Sequence, residues 1–424
     1  MKNKTREEKI DFLLPIICAL MYVSSYLGRH SYNSNITQIV ESLGVSYTET
    51  GLVSTFFFFA YGAGQFLHGI LCSKYNEKYV IPAVLCISAL VNAAVFLGID
   101  FEIYKYLWLI NGAALSVLWP TLIRILSKYI SGQAMSRGIV FISASATVGY
   151  CLTYLMSSVF AAFDKYRLSF LTASVFLVVC GAIWIASYNG LKLSTTGMRI
   201  DYEKAQSVKG VDIPESNVDN KKRILWLIVV LAVYAVATNT IKEGLHVWVP
   251  SVLKDSFDLT GSLSTFLSLT LSVFGLFASV LSVKLYSKIK NYLLTIELLS
   301  VIAAVLVFSI IGLIQANQLV LTLICFGLVS LLMHTACSII TGIAPMEMKK
   351  QIDSGATAGI LNGFCYVGSV ISSYALGSIA DNFGWTMVFY FLLLLAIVPA
   401  SVLLVRSCVK LVKKEQKKLN GKKI

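Results

Sequence analysis

Apolar runs as long as a bilayer-crossing helix alternate with short polar segments along the whole chain. A helix of about 20 residues crosses the hydrocarbon core of a membrane, and the 424 residues hold twelve such runs. We therefore predict an all-α membrane protein with twelve transmembrane helices. The predicted spans cover residues 12–36, 50–72, 79–99, 106–127, 138–161, 168–189, 224–251, 262–283, 292–314, 318–343, 355–380 and 385–405.

One long hydrophilic stretch interrupts the series after the sixth span. It divides the chain into an N-terminal six-helix half (1–189), a cytoplasmic linker (190–223), a C-terminal six-helix half (224–409) and a basic cytoplasmic tail (410–424). Two structural repeats that face each other across a site near the bilayer midplane are typical of secondary transporters. The organisation therefore predicts transport.

Composition and charge agree with this fold class. Hydrophobic residues make up 57% of the chain and charged residues 13%, whereas soluble domains carry roughly a quarter charged residues. A water-soluble domain is excluded. The net charge of +13 does not indicate nucleic acid, because 28 of the 35 Lys and Arg residues fall on one side of the predicted topology, four on the other and three inside spans.

This asymmetry follows the positive-inside rule. It predicts a multi-pass protein of the inner (plasma) membrane with both termini in the cytoplasm, where basic residues contact anionic lipids. We expect membrane lipids and a small anionic substrate as partners, a monomeric protein and no nucleic acid.

Sequence motifs for catalysis or cofactor binding are missing. The nine cysteines are scattered without a C-x-x-C pair and fit the role of small packing residues. The histidines lack metal-ligand spacing, and no nucleotide-binding or nucleophile motif occurs in its proper context. We therefore predict no metal, no cofactor and no enzymatic activity.

Two deeply placed cations are the main candidates for function. Arg29 lies about 17 residues into the first span and Lys242 about 18 into the seventh, at equivalent depths of the two halves. A charge at the bilayer centre costs roughly 2.5–3.5 kcal/mol on insertion scales, so each needs a reason. One alternative is that both side chains extend to the outer face of the membrane. The functional interpretation is that both cations face an aqueous cavity and bind an anion.

Other ionisable residues inside the spans receive lesser roles. Glu243 follows Lys242 directly, so the two point about 100° apart on a helix, and we expect them not to pair with each other. Glu243 is expected to hold the cationic network, carry a proton or pair with a neighbouring helix. Arg124, near the inner end of the fourth span, is expected to reach the cytoplasm as a gate or interface residue. Glu297 is expected at the boundary of the ninth span.

Aromatic and imidazole side chains accompany the cations. Tyr22 and Tyr26 precede Arg29 by seven and three residues and so share its helix face, where they can line a substrate wall or serve as ordinary packing residues. Buried neutral histidines held by a hydrogen bond are the plain interpretation of His30, His68, His246 and His334.

The sequence resembles the organophosphate:phosphate antiporter family of the major facilitator superfamily. The segment "YVSSYLGRHSYNSNI" at 22–36 is similar to the family stretch in which two tyrosines precede an essential arginine, and "IKEGLHVWVPSVL" at 241–253 is similar to the stretch with a second arginine, at the position of Lys242. "GILCSKYNEKY", "LWPTLIR", "RGIV", "GATAGILNGFCYVGSV" and "DNFGW" follow in the same order.

The resemblance implies the major facilitator fold, and it implies that Tyr366 also approaches the substrate. Three departures concern the anion. Lys242 keeps the charge of the family arginine but lacks its bidentate fork. Gln65 replaces a lysine of many members and is retained as a candidate substrate contact, and small residues near Ala146 replace a histidine.

We therefore interpret the chain as a secondary active transporter that exchanges a phosphorylated metabolite, such as glycerol-3-phosphate or a sugar phosphate, for inorganic phosphate by alternating access. The predicted substrate-binding residues are Arg29, Lys242, Tyr22, Tyr26, Gln65, Glu243 and Tyr366, with Arg124 as the gate. Three alternatives remain: a proton-coupled symporter of a carboxylate or sugar acid, a transporter-like sensor of sugar phosphate, and a membrane-embedded enzyme.

Overall fold

A computed structural model describes residues 6–130, 132–193, 218–348, 352 and 354–401. The predicted tail at 410–424 and most of the predicted linker at 190–223 lie outside these residues. Every regular element in the described ranges is helical.

Twelve bundle helices, which we number α1 to α12, account for the predicted spans. Within the described ranges, ten segments are long and apolar enough to cross a membrane, and the helices Tyr47–Leu71 and Trp385–Ser401 complete the twelve. The unbroken helices are α2 (Tyr47–Leu71), α3 (Glu77–Phe96), α5 (Gly132–Ala161), α6 (Leu168–Gly190), α7 (Val218–Phe257), α9 (Tyr292–Gln315), α11 (Ser354–Phe383) and α12 (Trp385–Ser401).

Four helices are broken, which the apolar pattern does not predict. α1 runs over Arg6–Asn33 and continues as Ile36–Leu43, and α4 is split into Tyr104–Leu115 and Leu118–Tyr129. α8 consists of Gly261–Leu267, Leu269–Gly275 and Ala278–Ile289. α10 comprises Leu319–Ser338, a π-helical turn Ile339–Ile343 and Ala344–Met348.

Local polar residues fix several helix starts. Asn76 caps α3 by accepting a hydrogen bond from the Lys78 N–H at 3.1 Å. Asn291 accepts from the Leu294 N–H at the start of α9, also at 3.1 Å. Such side chains satisfy N–H groups that have no partner inside the helix.

Small residues set how closely the helices pack. α1 packs against α5, and α2 packs against α11, which in turn packs against α7. A methyl group on Gly149 of α5 would lie 2.4 Å from Cβ of Tyr26 on α1, and one on Gly62 of α2 would lie 2.6 Å from Cβ of Tyr366 on α11. Both glycines permit a backbone approach that places a candidate tyrosine.

Helices from the first six spans meet helices from the last six at α2 with α11 and at α5 with α8. A central cavity lies between these two seams. We call the end of the bundle that carries Arg6 and Ser401 the terminal end, and the opposite end the distal end.

Candidate functional site

The central cavity has a volume of about 380 Å³ and is lined by both sets of six helices. The first six contribute mainly rings, and the last six contribute mainly amide, hydroxyl, thiol and charged groups. The lining includes Tyr22, Tyr26, Arg29, Trp119 and Tyr150 on one side and Asn239, Lys242, Glu243, His246, His334, Asn362 and Tyr366 on the other.

Arg29 is held in the cavity by aromatic rings. Its guanidinium carbon lies 4.7 Å from the ring centre of Tyr26, 5.0 Å from that of Tyr61 and 5.6 Å from that of Phe57. Arg29 forms no ion pair with any described residue, and its buried Nε has no hydrogen-bond partner among them. Ring faces attract a cation without neutralising it, so Arg29 keeps its full charge for a ligand.

Lys242 differs from Arg29 because it has a carboxylate partner. Its Nζ lies 3.0 Å from Oε1 of the adjacent Glu243, so the prediction that these neighbours cannot pair is wrong. Their Cα–Cβ directions diverge, but the four-carbon lysine stem is long and flexible enough to bring the ammonium back to the carboxylate. The Tyr150 hydroxyl donates to Oε2 of Glu243 at 3.5 Å.

A chain of four rings crosses from one set of six helices to the other, and we call it the ring chain. It runs from His30 to Tyr150, His246 and His334, with ring centres 4.1, 4.8 and 5.2 Å apart in that order. Both ring nitrogens of His30 and Nε2 of His246 are buried without a described partner. The expectation that a hydrogen bond satisfies the ring is therefore wrong for His30.

The remaining predicted substrate residues divide between two neighbouring cavities. Tyr22 and Tyr366 line the central cavity. Gln65 lies in an adjoining vestibule of about 580 Å³ toward the terminal end, which Tyr22 and Tyr366 also line. The Gln65 amide donates to the Tyr61 hydroxyl at 3.0 Å, so Gln65 contacts the ring that packs on Arg29.

Arg124 lies in the same vestibule. Its Nη1 is 3.7 Å from Oε2 of Glu77, whose other oxygen lies 2.7 Å from Nζ of Lys128 and accepts a short hydrogen bond from the Tyr129 hydroxyl. Arg124 therefore belongs to a charged cluster at the terminal end of the first six helices.

Glu297 lies near the start of α9 and is buried within the bundle. It is 1% exposed, and its Oε1 accepts a hydrogen bond from the Tyr234 hydroxyl at 3.1 Å. The hydroxyl comes from α7, so the sequence pattern of α9 alone does not predict this contact.

Polar contacts close the distal end across the two sets of helices. Asp255 accepts hydrogen bonds from the Tyr47 hydroxyl at 2.7 Å and the Trp385 ring N–H at 2.8 Å. Asp381 accepts from the first turn of α2, at Tyr47 and Thr48. We call these five residues the distal latch.

Sequence reasoning missed Tyr61, Phe57, Tyr150 and the latch. Tyr61 and Phe57 lie in an apolar, aromatic run of α2, where nothing marks the two rings that meet Arg29. For the latch, the "DNFGW" motif is the one available signal, since it contains both Asp381 and Trp385.

A twelve-helix membrane bundle with a cation-bearing cavity between its two sets of helices defines a transporter, not an enzyme. Residues 18–352 match the family model of the Major Facilitator Superfamily, and the chain belongs to this superfamily. This confirms the predicted fold.

Relatives with curated descriptions confirm the resemblance to organophosphate:phosphate antiporters. The human "Sugar phosphate exchanger 3" is 26% identical over 86% of this chain and 82% of its own length. A "Probable hexose phosphate transport protein" of Chlamydia muridarum is 22% identical over 89% and 86%. The "Membrane sensor protein UhpC" of Escherichia coli is 22% identical over 91% and 89%.

Solved structures agree in fold. A bacterial homologue of the human lysosomal transporter Spinster, in an inward-facing and occupied conformation, gives a TM-score of 0.71 at 12% identity and covers 94% of this chain and 97% of its own. A D-xylose–proton symporter gives 0.69 at 11% identity, covering 93% and 96%.

Proposed function

We propose that this protein exchanges a phosphorylated sugar or similar organophosphate for inorganic phosphate. The observation that carries the proposal is Arg29, a buried cation without a described carboxylate partner, in a cavity that also contains Lys242. A buried charge is retained where a ligand compensates it. The names of the sugar phosphate and hexose phosphate relatives support phosphate as that ligand.

The two cations are expected to act differently. The guanidinium of Arg29 can donate to two phosphate oxygens at once. Lys242 must first break its contact with Glu243 before it can bind the substrate, because the carboxylate lies 3.0 Å from the ammonium group. With neutral histidines, the lining residues leave one net positive charge in the cavity before the substrate arrives.

The organic part of the substrate is expected to face the last six helices. That side of the cavity offers the side chains of Asn239, Asn362 and Ser338, which can donate to and accept from sugar hydroxyls. The opposite side offers Arg29 and the rings of Tyr22, Tyr26, Trp119 and Tyr150. The phosphate would therefore lie toward the rings and the hydroxyl groups toward the amides.

Alternating access would use the two seams. The distal latch joins the two sets of helices, while the vestibule next to Gln65 extends the cavity toward the terminal end. Substrate between Arg29 and Lys242 would reduce the repulsion between these cations and allow the terminal end to close. The latch would then open and release the substrate at the distal end.

Counterflow in proteoliposomes tests this function. Vesicles loaded with inorganic phosphate should take up labelled hexose phosphate with the wild-type protein, and vesicles without internal phosphate should not. Uptake that requires a proton gradient and no internal phosphate would favour the symporter. Saturable binding with no uptake under either condition would favour a sensor and contradict the proposal.

Orientation, membrane and assembly belong to the same proposal. The 28 to 4 distribution of basic residues supports cytoplasmic termini in an inner (plasma) membrane. We also propose two six-helix halves at 1–189 and 224–409 and a monomeric protein among lipids. A reporter after Ile424 or near Val211 should be cytoplasmic and one near Asp255 external. An external reporter near Val211 would exclude the two-half topology.

A further inference from the structure

Two thiols lie side by side in the wall of the central cavity. Cys337 on α10 and Cys365 on α11 both line the cavity and are 9% and 6% exposed. Both residues also contact one amide: Sγ of Cys337 is 3.9 Å from Oδ1 of Asn239, and the Asn239 Nδ2 donates to the Cys365 carbonyl at 2.5 Å.

The fold creates this pair from distant parts of the sequence. The packing role expected for scattered cysteines does not explain two thiols that face a polar cavity beside Lys242 and Asn239. In the described part of the chain, no three His, Cys, Asp or Glu side chains come together as a metal-binding group. A ligand of this pair would therefore be held by two sulfur atoms.

We propose that Cys337 and Cys365 form a dithiol modification site that a trivalent arsenical bridges. Sulfur ligands favour soft, thiophilic atoms, and two cysteines that line one cavity and contact the same amide are placed for one atom to bind both thiols. With an arsine oxide, two S–H bonds and the arsenic–oxygen bond break, and two As–S bonds form. The oxygen leaves with both protons as water, and arsenic stays trivalent, so the step needs no oxidant or reductant.

The bridge is expected to stop transport for two reasons, both of which rest on the proposed function. The arsenic and its organic group would fill the cavity beside Lys242 and Asn239. The bridge would also tie α10 to α11 just before the π-helical turn Ile339–Ile343, a kind of irregular turn often found at functional sites.

Phenylarsine oxide added to the purified full-length protein tests the site. Intact mass spectrometry should show one bridged phenylarsenic group on the wild type, and peptide mapping should locate it on Cys337 and Cys365. A dithiol such as 2,3-dimercaptopropanol should remove the group, whereas 2-mercaptoethanol should not. Saturating hexose phosphate should slow the modification, because it occupies the same space.

Variants separate this pair from the other cysteines. Cys337→Ser and Cys365→Ser should each show the same uptake with and without the arsenical, while the wild type loses uptake. Cys325→Ser, on the same helix α10, is the matched control and should lose uptake like the wild type. Each variant is compared as a monodisperse preparation, so that misfolding is seen directly.

Several outcomes would overturn the proposal. They are no adduct on the wild type, an adduct that persists in the Cys337→Ser/Cys365→Ser double variant, or full uptake by fully modified protein. Failure of the proposed function looks different: the adduct forms and maps to the pair, yet the untreated protein moves no hexose phosphate.

Discussion

The carboxylate of Asp381, at the end of α11, caps the first turn of α2 at Thr48. It accepts a hydrogen bond from the Thr48 N–H at 2.7 Å and from the Thr48 hydroxyl at 2.5 Å. The first N–H groups of a helix lack partners inside it, and a negative charge there is also favoured by the helix dipole. Because the cap comes from the other set of six helices, it ties the two sets together at the distal end.

The other distal contacts differ in strength. Lys254 and Glu41 lie 2.5 Å apart, but the Glu41 side chain is 48% exposed, and exposed ion pairs contribute about 0–1 kcal/mol. Hydrogen bonds to a charged group contribute about 1.5–3 kcal/mol. Asp381 and Asp255 are also exposed, but each accepts hydrogen bonds from two residues of the latch, so we expect them to control opening more than the ion pair does.

Asp381→Asn should favour opening of the distal end. The amide can still accept from Thr48 but loses the charge, and a weakening of about 1 kcal/mol corresponds to a shift of about fivefold. Thr37 is buried, and its hydroxyl lies 3.4 Å from the Ser251 hydroxyl. The accessibility of position 37 therefore measures opening of the distal end. In a cysteine-free background, Thr37→Cys should react about fivefold faster with a membrane-impermeant maleimide.

Asp258→Asn is the matched control for this experiment. Asp258 is an exposed carboxylate at the same end, with a φ of 52° that asparagine also adopts. Thr37→Cys should be labelled at the same rate in the Asp258→Asn variant as in the parent protein. Equal rates for the Asp381 and Asp258 variants would mean that the cap does not restrain opening.

Gly62→Ala should destabilise the contact between α2 and α11. The added methyl would lie 2.6 Å from Cβ of Tyr366, and overpacking of this kind costs about 1–3 kcal/mol. Gly363→Ala, on α11 with no atom within 4 Å of the new methyl, is the control and should be neutral or stabilising. Thermal unfolding of the two purified variants measures the difference, and equal melting temperatures would argue against the close approach.

The sequence predicted the twelve helices because the bilayer imposes one length and one polarity on each span. It also predicted Arg29 and Lys242, since a charge inside an apolar run is conspicuous. The arrangement around them was not predictable in the same way. Tyr61 meets Arg29 only once the bundle is assembled, and the Lys242–Glu243 contact depends on side-chain rotamers rather than on helix periodicity.

Breaks in helices and contacts between halves were the other unpredicted features. α8 and α10 keep the apolar composition of unbroken spans, so the interruptions and the π turn Ile339–Ile343 leave no mark in hydropathy. In the sequence, Asp381 lies just after the predicted span 355–380 and therefore looks like a loop residue. Its role as a cap for Thr48 follows from a contact across more than 300 positions of the chain.

Arg29→Gln should abolish exchange, and Arg29→Lys should retain a small part of it. Glutamine removes the charge, while lysine keeps it but loses the planar fork and its stacking on Tyr26 and Tyr61. One lost charge-assisted hydrogen bond of about 1.5–3 kcal/mol corresponds to roughly 10–100-fold in affinity. Phosphate binding to the purified variants by calorimetry measures the change.

Arg167→Gln provides the control for these variants, because Arg167 precedes α6 outside the central cavity. It should bind phosphate like the wild type. Near wild-type affinity of Arg29→Gln would show that the arginine is structural and that the anion binds elsewhere.

Glu243→Gln should tighten phosphate binding and slow exchange. The carboxylate competes with the substrate for Lys242, so its neutralisation frees the ammonium and raises the cavity charge by one. We expect an affinity gain of about tenfold, equivalent to about 1.4 kcal/mol, and slower release because no carboxylate recaptures the lysine.

Glu297→Gln is the control, because Glu297 is a buried carboxylate that is hydrogen-bonded to Tyr234 outside the cavity. It should leave phosphate affinity unchanged. Weaker phosphate binding in Glu243→Gln would contradict competition. Loss of uphill uptake with intact counterflow would instead identify Glu243 as a proton carrier, as the symporter alternative requires.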